Sequence, residues 1–176
     1  MYTAGVNSLN ICFMNNTATT RKPEIRGELD AIGRLIGKHR KILGALGERL
    51  VVRHLENKGF QHLESNFRKK YGELDVIMKK GDRLHFLEVK SVSRENLRSR
   101  MANSVNRETY RDSSVHMPEE NVGPRKIKKI SRMISVYLGE RGMRSVEWQF
   151  DVAVVLVDQK NHFACIKFIK NVPLAG

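Results

Sequence analysis

Leu43, Leu46, Leu50, Val51 and Leu55 recur at the i, i+3, i+4, i+7 spacing that gathers apolar side chains on one stripe of a helix. The spacing predicts a helix over residues 39–57, closed by Lys58 and Gly59, with Glu48 on the edge of the stripe. Apolar and polar residues then alternate, which predicts strands over 60–67, 72–79 and 84–92, with Gly81 and Asp82 as the tight turn between the last two. Residues 93–122 have no period and are loaded with Arg, Asn, Ser and Glu, so a long loop is expected there. Gly123 and Pro124 open a second helix, whose stripe is Ile127, Ile130, Ile134, Tyr137 and Leu138. Two strands, 146–157 and 163–169, complete the order α-β-β-β-α-β-β. Before residue 39 the pattern is polar, or broken by Gly33 and Gly37, and residues 1–38 read as a flexible extension to one domain over 39–172.

At 176 residues, 40% hydrophobic and 29% charged, the chain is sized for one folded domain and is not a disordered polymer. Its longest apolar run is 152–157, far short of the roughly 20 residues that span a bilayer. The first 16 residues carry no Lys or Arg ahead of an apolar stretch, so no secretory signal is read and a cytoplasmic location is expected. Cys12 and Cys165 stand far apart, outside any CxxC or Cys/His cluster, and the histidines never fall at HxxxH spacing, so neither a disulfide framework nor a zinc site is suggested. The charge changes the picture most. With 32 Lys and Arg against 19 Asp and Glu, the net charge of +13 favours a polyanionic partner, nucleic acid before a membrane surface.

The hairpin over 72–92 can be put in register by arithmetic. With Gly81 and Asp82 as a two-residue turn, opposed residues sum to 163, so Asp75 faces Glu88 and Glu73 faces Lys90 on the same face. Directly opposed Cβ atoms in a sheet lie about 5 Å apart. Two opposed carboxylates repel, and a divalent cation between them removes the cost. Their hard oxygens, with room for water and phosphate, suit Mg²⁺ or Mn²⁺. Lys90 beside them can orient or help deprotonate an attacking water and offset charge that develops on phosphorus. The competing reading is an exposed strand with alternating charges, in which Glu73 and Lys90 form an ordinary cross-strand ion pair.

Gly44-Ala45-Leu46-Gly47-Glu48, Gly72-Glu73-Leu74-Asp75, Glu88-Val89-Lys90, Pro124-Arg125-Lys126 and Phe150-Asp151 occur in that order over roughly residues 40–172. This set resembles the YraN-like bacterial family, itself similar to archaeal Holliday-junction resolvases of the PD-(D/E)xK nuclease superfamily. The resemblance implies an α/β fold with a mixed central sheet flanked by helices. It also implies Asp75 and Glu88 as metal ligands, Lys90 as the catalytic lysine, Glu48 as a further catalytic acid and Glu73 in an accessory role. Resolvase-like enzymes act as homodimers, because two cuts need two sites. The stretch between Lys90 and Pro124 is longer than the family pattern, and residues 1–39 have no counterpart in it.

Lys126, Lys128, Lys129 and Arg132, with the loop cations Arg94, Arg98, Arg100, Arg107 and Arg111, are candidates for phosphate contacts, against the alternative of solvated surface. Asp151 reads as a structural hydrogen-bonding acid, with a third metal ligand as the open alternative, and Trp148 and Tyr137 read as core. The expected function is a metal-dependent endonuclease acting on structured or branched DNA. The alternatives are a nuclease-like fold that holds nucleic acid without cutting it and an interaction module whose acidic square is incidental.

Overall fold

The computed structural model describes residues 8–13, 40–97 and 124–174. Strand β1 (Ser8–Phe13) is followed by helix α1 (Arg40–Glu56), strands β2 (Gln61–Lys69), β3 (Gly72–Lys80) and β4 (Arg83–Ser93), helix α2 (Pro124–Glu140), and strands β5 (Trp148–Asp158) and β6 (Phe163–Ile169). From α1 onward this is the element order expected from the sequence. The six strands form one mixed sheet in the order β1-β6-β5-β4-β3-β2, antiparallel except where β4 and β5 run parallel. A parallel pair needs a crossover, and α2 supplies it.

The helices cover opposite faces. Leu46, Leu50, Val51 and Leu55 of α1 pack on Val76, Met78, Leu87, Val155 and Ile166, while Ile130, Met133, Ile134 and Tyr137 of α2 pack on Ile77, Phe86, Phe150 and Val152. Strand β5 contributes to both cores, which explains why its run of apolar residues does not alternate. The end of α1 is closed by Gly59, whose φ of 81° lets its N–H bond to Glu56 O (2.9 Å) and the Phe60 N–H to Leu55 O (3.0 Å). That closure fixes where β2 departs. No helix among the described residues is long and apolar enough to cross a membrane.

Two expectations need correction. Within the segment 1–38, read as an extension without elements, Ser8–Phe13 pairs antiparallel with β6, from Ser8↔Ile169 to Phe13↔Ala164. Leu9, Ile11 and Phe13 alternate there with polar residues and Cys12, but one short alternation among so many polar positions carries little signal without the β6 edge that it completes. Trp148, read as core, is 40% exposed: it is the first residue of β5, which begins there rather than at 146, and its ring stands at 78° to that of Phe86 with the centroids 6.0 Å apart. Tyr137 is buried as expected. The remainder of 1–38, and the loop cations Arg98, Arg100, Arg107 and Arg111, lie outside the described residues.

Candidate metal and phosphate site

The arithmetic register of the hairpin holds for five pairs, from Lys80↔Arg83 to Val76↔Leu87. Beyond Val76 the ladder stops. Strand β3 stays with β2 through Phe67↔Leu74 and Lys69↔Gly72, yet no pair forms at Asn66 and Asp75, where Asn66 adopts a left-handed φ of 56°. The packing shows the same break. Val76 lies in the α1 core and Ile77 in the α2 core, so strict alternation would return Leu74 to the α1 side, whereas Leu74 packs in the α2 core. Asp75 therefore sits at a slip in the pleat. Such irregularities open a sheet locally and re-aim a side chain.

At this opening the Val89 N–H, which has no main-chain acceptor on β3, donates instead to Asp75 Oδ2 (2.8 Å). Beside it Glu88 is 7% exposed, and its Oε1 accepts from Lys90 Nζ (2.7 Å) and from Lys126 Nζ. Burial, then the charge of Glu88, with Glu48 and Glu73 adding to it, pushes the Asp75 carboxyl up to about 7 against the opposing Val89 N–H. Burial works against the Lys90 charge, but the hydrogen bond and charge of Glu88 and the charge of Asp75 outweigh it, so the Lys90 pKa is raised.

Glu48 reaches this neighbourhood because the residue before it is glycine. A Cβ on Gly47 would stand 1.8 Å from Ser91 Oγ and 3.1 Å from Ser91 Cβ, so glycine lets α1 lie this close to β4 with Ser91 left in place. Glu48 Oε2 accepts from Asn66 Nδ2 (2.7 Å), and Asn66 Oδ1 accepts from Arg68 (3.2 Å), which ties the helix carboxylate to the irregular position of β2. The cross-strand ion pair of Glu73 with Lys90 that the competing reading offered is not made: Glu73 pairs with Arg68 Nε (3.0 Å) while Lys90 pairs with Glu88. The ladder has already ended, so the two are no longer opposed.

A cavity of about 360 Å³ lies between this opening and the start of α2, lined by Glu73, Glu88, Arg125, Lys126, Lys129 and Met133 among others. Of the cations expected to meet phosphate, Lys126 and Lys129 border it, and Arg125 joins them. Sequence reasoning passed over Arg125, although it stands inside the Pro124-Arg125-Lys126 string. Lys128 does not line the cavity, and Arg132 lays its guanidinium 3.4 Å from the centre of the Tyr71 ring. Asp151 is structural, as expected: it holds His85 Nδ1 (2.9 Å), Gln149 Nε2 (2.7 Å) and the Asn171 N–H (2.8 Å).

Among the described residues, no three His, Cys, Asp or Glu side chains stand together as a ready metal-binding group. What is present is a pair of carboxylates, Asp75 and Glu88, whose mutual repulsion is part of what raises the Asp75 pKa. Hard oxygen donors of this kind fit Mg²⁺ or Mn²⁺, provided that Lys126 gives up the Glu88 oxygen that it holds.

The fold and the opening define an α/β protein with a mixed sheet and a cleft of paired carboxylates edged by lysines. Residues 47–155, which contain Glu48, Asp75, Glu88, Lys90 and Lys126, match the family described as "Uncharacterised protein family UPF0102", and the chain belongs to that family. The UPF0102 protein of Alkaliphilus metalliredigens is 35% identical over 125 residues, covering 70% of this chain and 94% of the relative. That of Campylobacter fetus is 31% identical over 141 residues, covering 78% and 98%, and that of Dictyoglomus turgidum 30% over 131 residues, covering 74% and 96%.

Proposed function

We propose that this chain is a metal-dependent endonuclease of the PD-(D/E)xK kind that hydrolyses phosphodiesters in structured or branched DNA. The observation that carries the reading is the burial of Asp75 beside Glu88 at a break in the sheet: burial first, and the charge of Glu88 second, raise the Asp75 pKa to about 7. A fold gains nothing from burying two carboxylates together unless something cationic uses them. Asp75 and Glu88 would supply oxygen ligands to Mg²⁺ or Mn²⁺, and a bound cation of this kind polarises a phosphoryl oxygen and activates water. Lys90 Nζ, held 2.7 Å from Glu88, would orient the attacking water and offset charge on the phosphorane-like transition state. Glu48 stands by as a further acid on the α1 side, and Glu73, engaged with Arg68 at the mouth of the cavity, keeps an accessory place. Lys126, Lys129 and Arg125 would take phosphates, helped by a net charge of +13. A homodimer follows if both strands of a junction are cut.

One observation favours a second reading, a nucleic-acid-binding module without catalysis: Glu88 is already neutralised by two ammonium groups, and an ion-paired carboxylate needs no metal. The test is incubation with branched, single-stranded and duplex DNA in Mg²⁺, Mn²⁺ or EDTA. The native protein should cut branched DNA only with metal, and Asp75→Ala should lower the rate by about a hundredfold or more while leaving most of the binding. Salt-sensitive binding without any cutting would favour the module.

A further inference from the structure

Two ammonium groups share one oxygen of Glu88, but their tethers differ. Lys90 lies two residues along the same strand, where the pleat keeps it beside Glu88 whatever else binds. Lys126 comes from the first turn of α2, across the cavity, and α2 is anchored separately through Ile130, Met133, Ile134 and Tyr137. Its flexible side chain can therefore leave Glu88 without moving the helix.

The position of Lys126 is costly on electrostatic grounds. The first turn of α2 contains no acidic residue, and the amino end of a helix carries the positive end of its dipole. Arg125 and Lys129 border the same cavity and add to the repulsion. A lysine there gains from a nearby anion, and Glu88 is that anion in the structure. A divalent cation taken up by Asp75 and Glu88 brings twice the charge to the same oxygen and would expel a single ammonium. Lys126 would then face its helix end and two other cations, and the anion that could hold it in the cavity is a phosphate of bound nucleic acid.

We propose that Lys126 is a displaceable internal counter-ion, which holds the Glu88 oxygen that a divalent cation needs and passes to a nucleic-acid phosphate when the cation enters. The inference rests on the metal-dependent reading above and deepens it. Cation and nucleic acid are then coupled through one side chain, and by reciprocity each tightens the binding of the other.

Manganese titration followed by electron paramagnetic resonance reads the site without reference to cleavage. Native protein is compared with Lys126→Met, Lys126→Arg, Lys128→Met and Asp75→Asn, with and without a short duplex whose phosphorothioate linkages resist hydrolysis. Without duplex, Lys126→Met should bind Mn²⁺ about tenfold more tightly than native, whereas Lys126→Arg, which keeps a cation on Glu88, should stay near native. Duplex should tighten Mn²⁺ binding to the native protein and should do so much less in Lys126→Met. Lys128→Met, which removes an equal charge from a lysine that does not line the cavity, should leave affinity within about twofold. Lys126→Gln gives a second readout should the methionine variant fold poorly. If native protein binds Mn²⁺, Asp75→Asn does not, and the Lys126 variants match native, the counter-ion role is overturned and the metal reading stands. If no variant binds Mn²⁺ at millimolar concentration, both fall together.

Discussion

From Lys80↔Arg83 to Val76↔Leu87 the β3–β4 hairpin is a continuous ladder whose side chains reach one core or the other in strict alternation, whereas from Asp75 back to Gly72 strand β3 follows β2 and leaves β4. The closed end satisfies its backbone groups with each other and buries Val76, Ile77, Met78 and Phe86 completely. The open end has a main-chain donor at Val89 served by a carboxylate, a left-handed Asn66, and charged groups stacked at close range. Stability is built where the ladder is intact, and the groups capable of chemistry gather where it fails. A perfect hairpin would have had no opening in which to keep Asp75, Glu88 and Lys90 half dry.

Three measurements would break or sharpen that contrast. The largest effect belongs to the closed end: Phe86→Ala empties a fully buried site between α2 and the sheet and should cost about 3–5 kcal/mol in chemical denaturation. A cost below about 1 kcal/mol would mean that the closed end is not where the stability resides.

The next effect belongs to the open end and has the opposite sign. The folded Asp75 carboxyl titrates near 7 and its ordinary value is 3.8. Below about pH 4 both folded and unfolded chains are protonated there, and nothing is lost. Between about 4 and 7 the unfolded chain gives up the proton that the folded chain keeps, so stability falls as pH rises, and the full cost stands above 7. Asp75→Asn removes this penalty, and the variant should be more stable than native at pH 8 by on the order of 2–4 kcal/mol, with the gap closing by about pH 4. Millimolar Mg²⁺ should narrow the gap at pH 8 by stabilising native protein alone. Melting curves at several pH values check this, and a native protein more stable than Asp75→Asn at pH 8 without metal would refute it.

The smallest effect tests how α1 is seated. Gly47→Ala places a Cβ against Ser91 Oγ and should cost about 1–2 kcal/mol, since either Ser91 turns away or the helix lifts. Ser91→Ala in the same chain should recover part of that cost, because it removes the nearest atom and a hydroxyl buried without a hydrogen-bond partner. Equal costs in the single and double variants would show that the approach of α1 is set elsewhere.

Much of the fold was legible in the sequence because its signals are local. The α1 stripe, the closure at Gly59, the two-residue turn at Gly81 and the start of α2 at Pro124 each depend on neighbours a few positions apart. The turn also set Asp75, Glu88 and Lys90 near one another, but the register that it fixes ends at Val76↔Leu87, so the direct opposition of Asp75 to Glu88 expected from it is not formed. Their detailed arrangement was not legible. Leu74, Asp75 and Val76 read as ordinary alternation, and the slip depends on Asn66 of a neighbouring strand and on the two cores competing for Leu74 and Val76. The bond from Lys126 to Glu88 joins residues 38 positions apart on a helix and a strand, and no periodicity encodes such a meeting.

The crossover through α2 also bears on the order in which the molecule assembles. Strands β2, β3 and β4 follow one another through short turns, so they can associate while the chain has closed only small loops. The parallel partner β5 arrives from far along the chain: Arg83 and Glu147, which join at the foot of the β4–β5 pair, are 64 positions apart. Closing that span is entropically slow compared with forming a hairpin. The hairpin that carries Asp75 and Glu88 therefore closes on short loops, whereas α2, which brings Lys126 to Glu88, is joined to it by the long closure.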